Sequence, residues 1–190
     1  MDSGPPYTDE QLEQKMSEPQ LRKALEYLRT RGSAREAYHE LLKVLPTIAD
    51  EIAHALPGVT WEWRDPTLTA DSGANSIVSG DTYGSSWSTT LVLFKVTFTD
   101  DMWHTAVGIV EKYAHTMGAT EQFTLPVADD IRFHNPTTDI LLDIGRGNDP
   151  QERLVSLESE TGLHLRQDIY DGKTTIDQAI GGVMPKYELP

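Results

Sequence analysis

The strongest constraint on the fold is a change in apolar spacing at Pro57-Gly58. Across residues 34–56, apolar positions recur every three or four residues, which predicts an amphipathic helix of about six turns containing Pro46. Pro57-Gly58 ends that helix, and Trp61 and Trp63 then alternate with polar residues as in a strand. The simplest arrangement places the apolar side of this strand beneath the helix.

The rest of the chain repeats these two patterns in separate blocks. Shorter helices are predicted after the capping residues Ser17 and Thr99, and a brief one over residues 175–180. The remaining predicted strands cover 87–98, 120–125, 131–134, 139–144, 153–159 and 163–167. Because their connections are short, neighbouring strands should pair antiparallel. The chain is therefore predicted to be α+β, with a single antiparallel β-sheet and long helices packed on one face.

Composition divides the chain into three regions. Residues 1–16 are acidic and poor in large apolar side chains, so we expect a flexible tether. Residues 17–168 hold the predicted α+β domain, and residues 169–190 form a peripheral C-terminal tail. Within the domain, Asp65–Ser86 is rich in Gly, Ser, Thr and Asp and is predicted to be one long loop, which is typical of functional or flexible segments.

The net charge disfavours several classes of partner. Thirty acidic residues face sixteen basic ones, giving −14 at neutral pH, so nucleic acids and anionic membrane surfaces should be repelled. No apolar run approaches the roughly 20 residues that span a bilayer. We find no signal peptide, so we expect either a cytosolic protein or the mature part of an exported one. The chain has no cysteine, which excludes disulfides and thiolate chemistry.

Searches for reactive centres give no catalytic residue, metal site or cofactor site. His104 and His115 lie about three turns apart on the third predicted helix, too far to share one ion. The pair Glu158 and Glu160 lacks a facing partner across a cleft, as glycoside hydrolysis would need. Gly145-Arg146-Gly147 lies in a predicted hairpin turn, where the glycines would supply left-handed backbone.

The aromatic residues are the remaining candidates for a ligand site. For Trp61 and Trp63 the strand pattern favours packing, although Trp63 could also line a pocket. Tyr83 and Trp87 follow the Gly/Ser-rich segment and either anchor it or contact a partner. Weak ligand-binding candidates are therefore Tyr83, Trp87 and Trp63.

Two blocks resemble a known family. GSAREAYHELLKVLPTIADEIAHALPGVTWEWRDP and VLFKVTFTDDMWHTAVGIVEKYAHTMGAT are similar to segments of the LppA-like lipoproteins of actinobacteria. The resemblance implies an exported cell-envelope protein, attached to the membrane by an N-terminal lipid anchor that this sequence does not include. It also implies a cysteine pair that this chain lacks, and it supplies no catalytic residues.

Three functional hypotheses follow. The first is a non-enzymatic envelope lipoprotein domain that binds a partner protein or an envelope lipid or glycan. The second is a small-molecule binding protein, with a pocket between helix and sheet near the three aromatic candidates. The third is a hydrolase that uses histidine and carboxylates.

Overall fold

The computed structural model describes residues 6–8, 11–12, 16–69, 77–79, 83–126, 129–147 and 154–182. The α-helices are α1 (Glu18–Thr30), α2 (Ala34–Ala55), α3 (Asp100–Thr116), α4 (Gln167–Tyr170) and α5 (Ile176–Ile180). The strands are β1 (Trp61–Trp63), β2 (Ile77–Ser79), β3 (Gly84–Ser88), β4 (Val92–Thr97), β5 (Glu121–Leu125), β6 (Asp130–His134), β7 (Leu141–Arg146), β8 (Leu154–Glu160) and β9 (His164–Leu165). None of the helices within these ranges is long and apolar enough to cross a bilayer.

Side-chain caps start the main helices at the residues that the sequence indicates. Ser17 forms a capping box with Gln20 ahead of α1. The Ser33 hydroxyl accepts a hydrogen bond from the Glu36 amide, and Thr99 does the same for α3. Each cap satisfies a backbone N–H that the first helical turn leaves without a partner.

The strands form one antiparallel sheet, which confirms the predicted fold class. Its main path runs β1-β4-β8-β7-β6-β5, and every recorded pairing is antiparallel. Strands β6, β7 and β8 are joined by short connections and pair in chain order, as expected for consecutive strands. Strand β3 pairs with β2, with β9 and with the end of β8.

The single strand predicted over residues 87–98 is wrong, because the chain forms two strands there. Ser88 faces Glu160 and Val92 faces Leu157, so four positions on one side oppose three on the other. The extra residue makes a bulge, which bends a strand. Buried Thr89 fills the break: its N–H donates to the Ser159 carbonyl, and its hydroxyl accepts from the Ser159 N–H.

The prediction of one loop over Asp65–Ser86 is also wrong in the described parts. A 3₁₀ helix covers Pro66–Thr69, β2 covers Ile77–Ser79, and β3 already begins at Gly84. The remaining positions, 70–76 and 80–82, lie outside the described residues. Periodicity missed the two strands because β2 is three residues long and β3 reads GSSWS, with a single large apolar side chain.

The main hydrophobic core lies between the sheet and helices α2 and α3. It contains Leu45, Ile48, Ile52, Phe94, Trp103, Val110, Phe133, Leu142, Ile144 and Leu157, with Trp61 and Trp63 packed against it. The two indoles meet edge to face at 5.9 Å, and Trp61 Nε1 donates to Asp50 Oδ1 on α2 at 2.8 Å. Both residues therefore pack beneath α2, as the alternating pattern predicts.

A second cluster joins the two ends of the described chain. Tyr7 and Leu12 are buried together with Leu25 and Leu28 of α1, with Leu165 of β9, and with Ile169, Ile176 and Ala179 from the C-terminal helices. The cluster includes residues from the segment predicted to be a flexible tether, 1–16, and from the predicted peripheral tail, 169–190. The boundaries of the three regions remain a prediction, since residues 1–5, 9–10, 13–15 and 183–190 lie outside the described ranges.

A buried ion pair supports this second cluster. Arg166 and Asp168 are 6% and 8% exposed, and the guanidinium donates to both carboxylate oxygens, at 2.5 and 3.0 Å. Burial by itself would raise the pKa of Asp168, but hydrogen bonds from Arg166 and Thr174 outweigh it and lower that pKa. The ionised form is thus the one that the folded protein favours.

We expect Asp168→Asn to lower the free energy of unfolding by about 3 kcal/mol at pH 7, because it leaves a buried guanidinium without its counter-ion. Since the pKa of Asp168 is lowered on folding, the loss should shrink as the pH falls below the ordinary value of 3.8. Urea unfolding at pH 7 and at a pH below 3.8 measures the free energy of unfolding of the variant and of the unmodified chain. Asp171→Asn, on an exposed residue nearby, is the control; equal losses in the two variants would contradict the assignment.

Candidate functional site

The candidate site is the side of the sheet that faces away from α2 and α3. Side chains alternate along each strand, so burying Phe133, Leu142 and Leu157 in the core directs their neighbours to the opposite side. We call this surface the acidic face, defined by Glu121 and Phe123 of β5, Asp130, Arg132 and His134 of β6, Asp143 of β7, and Glu158 and Glu160 of β8.

A row of paired residues crosses the centre of the acidic face. Phe123 is opposite Arg132, Arg132 is opposite Asp143, and Asp143 is opposite Glu158. Arg132 Nη2 lies 2.7 Å from Asp143 Oδ2, and its Nε lies 3.0 Å from both carboxylate oxygens. The two groups therefore form a bidentate pair, the strongest ion-pair geometry available to arginine.

Three other carboxylates of the acidic face, from Glu158, Glu160 and Asp130, are only partly compensated. Burial raises the pKa of Glu158, and repulsion from Asp143 and Glu160 adds to the increase, against a weaker opposing effect of Arg132. Burial also raises the pKa of Glu160 and that of Asp130, with Asp143 again contributing. Because the folded protein disfavours these negative charges, an incoming cation would stabilise them.

Gly145 leaves the space that the Asp130 carboxylate occupies. A Cβ at Gly145 would lie 2.0 Å from Asp130 Oδ1. Gly145 and Arg146 belong to strand β7, and Gly145 and Gly147 are not among the glycines with positive φ. The prediction that these glycines provide a left-handed hairpin turn is therefore wrong, and Gly145 instead permits close approach of a side chain.

His134 links two carboxylates at one end of the acidic face. Its Nδ1 lies 2.9 Å from Glu121 Oε2, and its Nε2 lies 2.7 Å from Asp139 Oδ1. Burial lowers the pKa of His134, but the hydrogen bonds to the two carboxylates outweigh burial and raise that pKa. Asp139 has φ of 63°, a left-handed conformation uncommon outside glycine, and its contact with His134 helps to hold that turn.

Phe123 adds an aromatic ring to this polar surface. It is 48% exposed, and within the described residues it is the exposed large hydrophobic side chain that stands out. Its ring centre lies 6.2 Å from that of His134. The surface thus combines partly compensated carboxylates with an accessible apolar contact. This combination suits recognition of basic side chains that have apolar neighbours.

The three aromatic candidates from the sequence do not come together. Trp63 packs against the main core, and Tyr83 packs against the second cluster. Trp87 is 6% exposed and meets Tyr38 edge to face at 5.7 Å. They lie in three separate clusters, so they do not line one common pocket; a ligand role for any one of them stays a prediction.

His104 and His115 both lie on α3, about three helical turns apart. His115 Nε2 lies 3.9 Å from Glu111 Oε1, one helical turn away, on the solvent side. In the parts of the chain that the structure describes, no three metal-binding side chains converge.

Comparison with known proteins identifies the family of this chain. Residues 9–143, more than half of the chain, match the profile of the LppA family, described as a lipoprotein confined to pathogenic Mycobacterium. The chain belongs to the LppA lipoprotein family. A crystal structure of LppA from Mycobacterium tuberculosis superposes with a TM-score of 0.62 at 22% identity, covering 78% of this chain and 88% of that one. No curated protein matches.

These findings confirm the resemblance drawn from the two sequence blocks. At 22% identity the LppA crystal structure shows the shared α+β fold. The profile ends at Asp143, so it includes β5, β6 and part of β7 but not β8. The carboxylates Glu158 and Glu160 of the acidic face therefore lie beyond the matched range.

Sequence reasoning missed the acidic face, although one signal was present. Asp130, Arg132 and His134 alternate with apolar residues along β6, and Glu158 and Glu160 alternate along β8, which indicates a polar side on each of these strands. Assigning Arg132, Asp143 and Glu158 to one row requires the register between strands, which spacing within one strand does not provide.

We expect Glu158→Gln to stabilise the protein at pH 7 by up to about 1 kcal/mol, because like charges directly opposite each other destabilise a sheet. For a chain of this size this corresponds to an increase in Tm of about 2–4 °C. Since folding raises the pKa of Glu158, the gain should vanish as the pH falls below the ordinary value of 4.5. Thermal unfolding followed by circular dichroism checks both points.

Glu62→Gln is the matched control. Glu62 lies on the same side of the sheet but pairs with Lys95, so its neutralisation should leave the stability unchanged or slightly lower. A gain in Tm of equal size in both variants would indicate a general charge effect and contradict the local one.

Proposed function

We propose that this chain is a non-enzymatic cell-envelope lipoprotein domain that binds a basic partner protein through its acidic face. Membership of the LppA lipoprotein family supports the envelope location and an N-terminal lipid anchor in the natural precursor. The observation that carries the binding role is the surplus of carboxylates around Arg132, on the side of the sheet that α2 and α3 leave uncovered.

Charge selects the class of partner. The acidic face contributes five carboxylates, from Glu121, Asp130, Asp143, Glu158 and Glu160, and two basic side chains, from Arg132 and His134. With a total charge of −14, the chain repels nucleic acids and anionic lipid headgroups at long range. A protein surface rich in lysine or arginine is attracted to this chain at long range. It also gains free energy from contact with the partly buried carboxylates.

The cost of these charges in the isolated protein favours a binding role over a purely structural one. Charged residues that raise one another's pKa lower stability in the isolated protein. A cation placed beside Glu158 and Glu160 would relieve this repulsion. The stability gained in this way would add to the free energy of binding. A binding role also needs no assembled nucleophile and base, which agrees with a surface made of carboxylates and arginine.

Neutralisation of the acidic face tests this function. The variant Asp130→Asn/Glu158→Gln/Glu160→Gln should bind a lysine-rich synthetic peptide about tenfold more weakly than the unmodified chain in low salt. The matched control Glu26→Gln/Glu40→Gln/Glu111→Gln removes the same charge from exposed helical positions. Isothermal titration calorimetry at two salt concentrations gives the affinities.

The control should retain most of the affinity, because these helical carboxylates lie away from the acidic face. If both triple variants lose affinity equally, the peptide responds only to net charge and the proposed site is wrong.

The envelope location has its own test. Expression of the complete natural gene in a mycobacterial host with labelled palmitate should give a labelled protein in the membrane fraction, because a lipid anchor holds it there. A product recovered wholly in the cytosol, without label, would contradict this part of the proposal.

A further inference from the structure

Strand β5 is an exposed edge of the sheet. It pairs with β6 over five consecutive residues without a break in register, and among the described residues no strand pairs with its other side. Glu121, Gln122, Phe123 and Thr124 are all exposed, so neither face of the strand is covered. The opposite edge differs, because β1 has three residues and packs under α2.

Within the described residues, β5 lacks most of the usual protections of an edge strand, and the charge of Glu121 is the exception. Natural edges carry lysine, proline or a bulge, or lie under a loop or helix, because unpaired backbone groups pair readily with other chains. The strand reads EQFTL, with no lysine or proline; Pro126 follows only after it ends. Its regular register excludes a bulge. Phe123 at the centre of the strand is 48% exposed, so its ring adds an apolar contact for any chain that pairs with this edge.

We propose that an extended basic segment of a partner protein adds to β5 as a further strand of the sheet. This inference rests on the proposed function and specifies how the partner binds. Backbone hydrogen bonds to β5 would supply affinity, and alternate side chains would supply specificity, as in other cases of strand addition.

The side chains of β5 define what the added strand must present. Glu121, Phe123 and Leu125 share the side of the acidic face, since they pair with His134, Arg132 and Asp130. An added strand would place every second residue beside them, within reach of a carboxylate or the Phe123 ring. Lysine or arginine at these positions matches this side, because the charged group can reach Glu121 and the long aliphatic stem can pack on the Phe123 ring. Gln122 and Thr124 on the other side set no charge requirement.

Charge also disfavours a second copy of this chain as the occupant. Two copies would bring together molecules with a charge of −14 each, and both acidic faces would extend toward the same junction. A basic segment reverses the sign of this interaction. Charge complementarity therefore selects a heterologous partner over self-association.

The test uses the synthetic peptide KVKVKVK and two matched peptides. One matched peptide has the same sequence with N-methylated valines, which keeps the charge but removes alternate backbone donors; the other is the acidic EVEVEVE. We expect KVKVKVK to bind, and to slow hydrogen exchange of alternate β5 amides at least tenfold, as observed by NMR. N-methylation should weaken binding at least tenfold, and the acidic peptide should not bind.

A variant of β5 gives an independent check. Phe123→Thr keeps β propensity but removes the exposed ring, so it should weaken binding of KVKVKVK several-fold. The matched control Phe123→Tyr keeps an aromatic ring and should bind as the unmodified chain does. Equal binding by all three proteins would overturn the role of Phe123 in the added-strand interface.

The outcomes separate the two proposals. If neutralising Asp130, Glu158 and Glu160 abolishes binding, but N-methylation has no effect and β5 amides stay unprotected, strand addition is wrong and the proposed function stands. If binding ignores both changes, the proposed function fails too. If β5 becomes protected without peptide as protein concentration rises, the occupant is a second copy and this inference is overturned.

Discussion

The structure depends on helices α2 and α3 sealing one side of the antiparallel sheet. Apolar residues from both helices and from β4, β6, β7 and β8 meet in a single core, and Trp61 and Trp63 extend it under α2. Burial of apolar area is the main source of stability in a domain of this size. Because side chains alternate on a strand, packing one set of residues against α2 and α3 places the residues between them on the opposite side of the sheet.

The opposite side of the sheet combines a strong pair with a repulsive one. Arg132 and Asp143 form a bidentate ion pair, while Glu158 sits directly opposite Asp143 in the next strand. The Arg132–Asp143 pair stabilises the row. The repulsion between Asp143 and Glu158 lowers the stability of the protein when no cation is bound beside them. Residues that lower stability in isolation are what a binding surface leaves available, which connects the packing of this sheet to the proposed partner.

The second cluster joins residues near the N-terminus to residues near the C-terminus. Tyr7 and Leu12 pack with residues more than 150 positions later, and the Arg166–Asp168 pair lies beside them. Arg31 donates hydrogen bonds to the carbonyls of Leu163 and Thr138, so α1 also reaches the β6–β7 turn. The N-terminal part of the domain, where the proposed anchor would attach, is thus joined firmly to the sheet.

The sequence by itself determined helices α1, α2 and α3, their caps and the α+β class, because these depend on neighbours three or four residues apart. It did not indicate α4, whose first residue, Gln167, falls in a predicted strand. Ser33, Thr99 and the Trp61-x-Trp63 alternation carry that local information. The tertiary structure decided the rest. The break at Thr89 depends on Ser159, the space at Gly145 serves Asp130, and the row from Phe123 to Glu158 exists only once register is set. These contacts join residues distant in sequence, so no local pattern can specify them.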